Sequence, residues 1–151
     1  MNCWTLNETI KWLHSLNVSS QNGQVIIDET WTVKQFDLPK ESYAQAELSR
    51  TFIELIEPFK GCVLCLTEWG VFPSEDNPIL IERFRLSYGE TRPLSEAPTF
   101  HLEPSEEAET IALIRLLIMF SWDGYLVSPT GDVVLMITGH ERFADLCTRG
   151  K

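Results

Sequence analysis

Long apolar segments and targeting signals are missing from this 151-residue chain. The most apolar run, residues 111–120, is about half the length of a membrane-spanning helix and contains Arg115. The N-terminal segment carries Glu8 and Lys11 and has no small-residue cleavage site, so the sequence predicts no secretory signal. We therefore expect a cytoplasmic protein with no membrane partner.

Positive charge is scarce. The chain has 12 Lys and Arg against 22 Asp and Glu, which gives a net charge of −10. The acids are spread along the whole chain rather than collected in a tail. Such a charge opposes binding to nucleic-acid phosphates and to anionic lipid. The composition predicts no nucleic-acid partner and favours a basic protein partner, while the oligomeric state stays open.

The four cysteines, Cys3, Cys62, Cys65 and Cys147, do not form a recognised redox or metal pattern. Cys62 and Cys65 match CxxC, but a redox dithiol needs its first cysteine at a helix N-terminus. The pair lies instead in the nearly continuous apolar run 61–66, which predicts a buried strand. A zinc site would need two further ligands from the remaining cysteines and histidines, and no second closely spaced pair exists. We therefore predict free thiols, no metal and no cofactor.

Motifs of the common enzyme classes are also missing. The chain contains no GxSxG elbow, no HExxH zinc motif, no P-loop and no GxGxxG dinucleotide motif. The sequence therefore assigns no catalytic residue. This pattern favours a protein that is not an enzyme, without excluding one.

The composition that is present, 44% hydrophobic and 23% charged residues, is typical of one globular domain spanning residues 1–151. Apolar residues recur at helical spacing in some segments and alternate in others. No sustained βαβ alternation is visible. We predict an α+β fold with a mixed, mostly antiparallel sheet packed by helices.

Caps, turns and periodicity place the predicted elements. The predicted helices are residues 6–17, 40–56, 77–88, a segment capped by Ser105, and 140–147. The predicted strands are residues 24–28, 30–36, 61–67, 124–128 and 132–138, of which the first two and the last two are expected to form hairpins. Thr5 and Glu8 have capping-box spacing for the first helix, and Gly89 is expected to end the third. Residues 90–104 are predicted to be a long irregular connection.

Two tryptophans lie where an apolar element meets a polar loop. If these element ends adjoin, one rim would be lined by Glu68, Trp69, Trp122, Asp123 and Tyr125. The rim could bind a ligand, or its two carboxylates could act as general acid and base. The alternative is structural, because a tryptophan at an element end often packs its ring inside, and Asp-Gly is ordinary turn chemistry.

Three arginines, Arg83, Arg85 and Arg92, lie close together in a chain otherwise poor in base. Arg85 and Tyr88 have a spacing that could turn both toward one ligand on a helix. The group could hold an anion. The alternative is that the arginines pair with nearby glutamates on a solvated face.

Three blocks resemble a family of small bacterial proteins that have no assigned activity: residues 66–75 (LTEWGVFPSE), 83–89 (RFRLSYG) and 122–126 (WDGYL). The resemblance spans about residues 62–126. It implies a bacterial cytosolic α+β domain and assigns no catalytic residue. A looser similarity, in acidity, single-domain size and the closing pair of strands, is to immunity-type proteins of bacterial toxin systems.

Two functional hypotheses follow. The first is a non-enzymatic, acidic binding module, immunity-like in its action, that meets a basic protein partner. The second is a small-molecule-binding protein or hydrolytic enzyme centred on Glu68, Trp69, Asp123 and Tyr125, with Arg85 or Arg92 holding an anionic group. A deep pocket that collects these residues would favour the second hypothesis, and an open acidic face the first.

Overall fold

The computed structural model describes residues 1–56, 58–69 and 77–150. The helices are α1 (Leu6–Ser15), α2 (Ser42–Glu54), α3 (Asn77–Ser87) and α4 (Glu107–Phe120). The strands are β1 (Asn2–Trp4), β2 (Ser20–Gln21), β3 (Gln24–Val25), β4 (Trp31–Asp37), β5 (Cys62–Glu68), β6 (Thr99–Leu102), β7 (Asp123–Val127), β8 (Val133–Thr138) and β9 (Phe143–Arg149). Much of the first block of the family resemblance, residues 70–75, lies outside the described residues.

Seven strands form one sheet in the order β1-β6-β5-β7-β8-β9-β4, and β2 pairs with β3 in a separate small hairpin. Every strand pair in the described part of the chain is antiparallel. This arrangement confirms the predicted α+β fold and its mostly antiparallel sheet. None of the described helices is long and apolar enough to cross a membrane.

The two faces of the sheet are covered unequally. One face packs against α2, α3 and α4 through a large core that includes the fully buried Phe52 and Leu117. The opposite face packs against α1 and the β2–β3 hairpin through a smaller core around Leu13. Because side chains alternate along a strand, the central strand β5 gives Leu64 to the first core and Cys65 to the second. Both faces of β5 are therefore buried, as its apolar run predicts.

The same alternation separates the two cysteines of the CxxC pair. Cys62 lies in the first core and Cys65 in the second, on opposite faces of β5. All four cysteines are free thiols. Burial raises the pKa of Cys62 to about 12, which keeps it protonated at neutral pH. The buried strand predicted for Cys62 and Cys65 is confirmed.

Several local predictions are confirmed in detail. The Thr5 hydroxyl accepts a hydrogen bond from the Glu8 backbone N–H at 3.3 Å, and the Glu8 carboxylate accepts one from the Thr5 N–H at 2.7 Å. This is the capping box of α1. Gly89 follows α3 with a φ of 82°, in the left-handed region that favours glycine. The second predicted hairpin forms as β7 and β8.

The first predicted hairpin, residues 24–28 with 30–36, is wrong. β3 instead pairs with β2 across Asn22 and Gly23, which both have positive φ, as a tight two-residue hairpin turn requires. β4 pairs with β9 from the other end of the chain. Between β3 and β4, the Asp28 carboxylate accepts hydrogen bonds from the backbone N–H and the hydroxyl of Thr30. These bonds form a turn that directs the chain into β4 rather than back along β3.

The predicted C-terminal helix, residues 140–147, is also wrong. This segment is a turn followed by β9, in which Ala144 and Leu146 face one core and Cys147 faces the other. Side chains that alternate between two faces are typical of a strand, not of a helix. Arg142, with a φ of 67°, reverses the chain between β8 and β9. Pairing of β9 with both β8 and β4 outweighs the weak local preference for helix.

Residues 90–104, predicted to be irregular, contain the short strand β6, which lies between β1 and β5. β1, also missed in the sequence, forms the edge of the sheet. The N-cap of α4 is Glu106 rather than Ser105, and no side chain caps it. The Glu106 carboxylate instead accepts a hydrogen bond from the Glu103 backbone at 2.9 Å and pairs with the ammonium group of Met1.

Candidate functional site

The ends of three neighbouring interior strands, β5, β7 and β8, lie side by side at one end of the sheet. A bulge between Leu66 and Glu68 places Glu68, the last residue of β5, opposite Asp123, the first residue of β7. Asp123 is in turn opposite Thr138, the last residue of β8. The two carboxylates predicted to line one rim are therefore neighbours.

The aromatic residues of the predicted rim do not join them at the surface. Trp122 is buried beside Phe120, with ring centroids 5.2 Å apart. Tyr125 lies on the same sheet face as Asp123, but the β2–β3 hairpin covers it, and its hydroxyl donates to the Gly23 carbonyl at 2.7 Å. Burial raises the pKa of Tyr125. Both side chains are packed inside the protein, as the structural alternative describes.

Trp69, the fifth residue of the predicted rim, directly follows β5. It is half-buried and packs against the larger core, on the side of the sheet that α2, α3 and α4 cover. Its ring therefore fills the end of that core rather than standing beside the two carboxylates as a free surface. Of the five rim residues, Glu68 and Asp123 are the pair that the structure brings together.

A histidine that the sequence analysis did not select completes this group. His140 lies in the turn after β8, and its Nδ1 is 2.7 Å from Oδ2 of Asp123. Glu68, Asp123 and His140 each offer one ligand atom within 4.8 Å of the others. The predicted hairpin of residues 124–128 and 132–138 already contained the signal, because its register carries the chain after residue 138 back toward residue 123. The incorrect prediction of a helix over residues 140–147 placed His140 on that helix instead of in the turn beside Asp123.

Two features hold His140 in place. The turn passes so close to the connection before β7 that a Cβ added at Gly139 would lie 2.7 Å from the backbone N of Trp122. The Asp123 carboxylate accepts a hydrogen bond from Nδ1 of the charged imidazole, which stabilises that form and raises the pKa of His140. On its other side, Nε2 of His140 is 3.7 Å from Oε1 of Glu141. The imidazole thus lies between two carboxylates.

The same end of the sheet carries an uncovered acidic surface. Residues directly opposite one another in the register share a face, and two such rows run across the strands beyond α1 and the β2–β3 hairpin. We call this surface the acidic strip, and its residues are Glu68, Asp123, Thr138, Phe143 and Asp37 in one row and Met136, Asp145 and Gln35 in the next. All eight are exposed or half-buried.

The three arginines considered in the sequence, Arg83, Arg85 and Arg92, lie on α3 and in the connection that follows it. Arg85 is buried and donates through Nη2 to the Ala97 carbonyl at 3.0 Å. The hydroxyl of Tyr88 instead donates to Glu109 at 3.1 Å. Arg85 and Tyr88 therefore do not share one ligand-facing surface, contrary to the hypothesis from their spacing. A cavity of about 410 Å³ lies beside α3, and Arg83, Arg85 and Arg92 are among its lining residues.

Arg92 already has a carboxylate partner. It binds Glu90 through Nε at 3.0 Å and Nη2 at 2.6 Å, and Nη2 also donates to the Cys3 carbonyl at 2.8 Å. The Arg92 guanidinium thus links the α3–β6 connection to the edge strand β1. The hydrogen bonds from Arg92 lower the pKa of Glu90 to about 2. The pairing expected as the alternative to anion binding is what Arg92 makes.

This ion pair predicts a pH-dependent stability. The pKa of Glu90 is lower in the folded chain than the value of about 4.3 expected when unfolded, so its contribution is complete above that value and is lost as the pH falls toward 2. We expect Glu90→Gln to reduce the free energy of unfolding by about 1 kcal/mol at pH 7. The deficit should shrink between about pH 4 and pH 2. Urea unfolding across this range measures it.

The matched control for Glu90→Gln is Glu96→Gln, an exposed glutamate in the same connection. Its stability should follow that of the parent chain at every pH. A deficit in Glu90→Gln that stays constant down to pH 2, or an equal deficit in the control, would show that the ion pair is not the cause.

No family model matches this chain, and no curated protein or solved structure is significantly similar to it.

Proposed function

We propose that this chain is an acidic protein-binding module and that the acidic strip is the surface that meets a basic partner. The observation that carries the proposal is the composition of the strip. Four carboxylates, from Asp37, Glu68, Asp123 and Asp145, surround the half-buried Phe143 and Met136. The two rows of the strip contain no Lys or Arg.

The physical basis is complementarity on a surface that the fold leaves open. Carboxylates around an apolar centre would attract Lys and Arg side chains, which increases the association rate and disfavours acidic partners. Phe143 and Met136 would supply the desolvated contact in which binding energy concentrates. An immunity-like action, in which the strip covers a basic surface of a toxin domain, is the form of this function that the looser similarity implies.

A small-molecule-binding or hydrolytic function is the second candidate. The observation in its favour is that Glu68 and Asp123 lie together with His140. The cavity beside α3 contains none of these three residues in its lining, so it does not collect them into one pocket. The open strip is for that reason the stronger support, and we place the binding module first.

The test uses a short synthetic peptide of Lys, Arg and Leu as the basic probe. We expect it to shift the backbone amide NMR signals of the acidic strip. The double variant Asp37→Lys/Asp145→Lys should bind it at least about tenfold more weakly, because two of the four negative charges of the strip become positive and its net attraction for the peptide is cancelled. Binding should also weaken with added salt, as the Debye length falls from about 8 Å at 0.15 M to about 3 Å at 1 M.

The matched control is Glu54→Lys/Glu96→Lys, which changes the net charge equally at exposed positions outside the strip. It should bind the peptide nearly as well as the parent chain. Equal losses in both double variants would show that net charge alone attracts the peptide. Amide shifts centred away from the strip would overturn the assignment of the surface.

A further inference from the structure

We propose that Glu68, Asp123 and His140 form a binding site for a divalent first-row transition metal ion. Their three ligand atoms come from the ends of β5, β7 and the turn after β8, and they lie within 4.8 Å of one another. Two ligand atoms of a tetrahedral ion with bonds of about 2.0–2.2 Å are roughly 3.3–3.6 Å apart. Small side-chain rotations therefore bring the three atoms to coordinating distance.

The donor set favours particular ions. One imidazole nitrogen and two carboxylate oxygens suit Zn²⁺ or Mn²⁺, whereas Ca²⁺ and Mg²⁺ prefer oxygen ligands alone. Glu68 and His140 are exposed and Asp123 is half-buried, so water can complete the coordination. Cysteine and histidine spacing along the sequence gives no sign of this site. This set instead joins residues that are far apart in the chain.

A second observation is the carboxylate behind the histidine. Histidine ligands commonly donate their second ring N–H to a carboxylate, which fixes the ring and makes the ligating nitrogen more basic. Glu141 lies on that side of the ring, with Oε1 3.7 Å from Nε2 of His140, so a small rotation of this exposed side chain would let it accept the second N–H. Nδ1 then points at Asp123 and the site.

Nδ1 lies 2.7 Å from Oδ2 of Asp123, so metal binding would displace any proton that Nδ1 carries toward that oxygen. The proton leaves to solvent as the metal–nitrogen bond forms, and no electron is transferred. This proposal does not rest on the binding-module function. Asp37 and Asp145, which test that function, are not among the ligands.

The test is calorimetric titration of the parent chain with Zn²⁺ and, separately, with Mn²⁺, which has little preference for the thiols. We expect one ion per chain. His140→Ala should weaken binding at least about tenfold. The matched control is His101→Ala, since His101 and Glu103 form a His–carboxylate pair with a nitrogen–oxygen distance of 3.8 Å. It should retain the parent affinity, as should Asp37→Lys/Asp145→Lys to within a few-fold.

A second measurement needs no variant. Ring-nitrogen NMR of the parent chain should show Zn²⁺ shifting Nδ1 of His140, with His14 and His101 unchanged. Equal shifts in all three histidines, no shift of His140 at excess ion, or an affinity unchanged in His140→Ala would each overturn the site. Failure of the peptide to bind the strip would leave these results unaffected, so the two proposals fail separately.

Discussion

Replacing Leu117 with alanine is expected to reduce the free energy of unfolding by about 2–5 kcal/mol. Leu117 is fully buried on α4, within the larger core. Its Cδ2 lies against Gly124 at the start of β7, where an added Cβ would be 2.7 Å away. Truncation removes buried methyl groups and leaves a cavity that the tightly packed strand cannot fill. Chemical denaturation monitored by circular dichroism measures the loss.

The control for Leu117→Ala is Met119→Ala, two residues along the same helix with an exposed side chain. It makes a similar change in side-chain volume on the solvent side and should change stability by about 0.5 kcal/mol or less. A loss well under 1 kcal/mol in Leu117→Ala would show that α4 is not part of the core.

Replacing Gly139 with alanine is the second large effect that we expect, about 2–3 kcal/mol of lost stability. The added methyl group would meet the backbone of Trp122 and lie 2.6 Å from the carbonyl carbon of Ser121. Backbone atoms there are fixed by the α4–β7 connection, so the turn after β8 must move instead. His140 would move with it, away from Asp123. Thermal unfolding gives the stability, and the histidine NMR signals report the displacement.

Gly150→Ala is the matched control, because nothing lies within 4 Å of a Cβ added at Gly150. It should leave the unfolding transition and the His140 signals unchanged. A Gly139→Ala chain as stable as the parent, with His140 still bound to Asp123, would show that the turn adapts without cost.

Local sequence signals predicted much of the fold. The capping box at Thr5, the glycine that ends α3 and the continuous apolar run of β5 each act over a few residues, and each is observed. The β7–β8 hairpin was predictable for the same reason, because a short turn fixes its register. Cap positions were less predictable, as Glu106 in place of Ser105 shows.

The errors share a different cause. β9 reads locally as a helix, and β4 reads as the partner of a nearby strand, but they pair with each other across more than a hundred residues. β6 is short and gains its structure from β1 and β5 on either side. Tertiary pairing overrides weak local preference in such strands. Asn22 and Gly23 also form the turn of a hairpin, a pairing that the Asn-Gly dipeptide favours.

For the candidate site, too, some features follow from the sequence and others only from the tertiary structure. Composition alone established the acidic excess, and the loops after two apolar elements pointed to Glu68 and Asp123. Only the sheet order placed these carboxylates side by side, buried Trp122 and Tyr125, and turned His140 toward Asp123. The physical reason is that a strand's neighbours are chosen by burial of its whole face, a property of the assembled sheet that no short stretch of sequence contains.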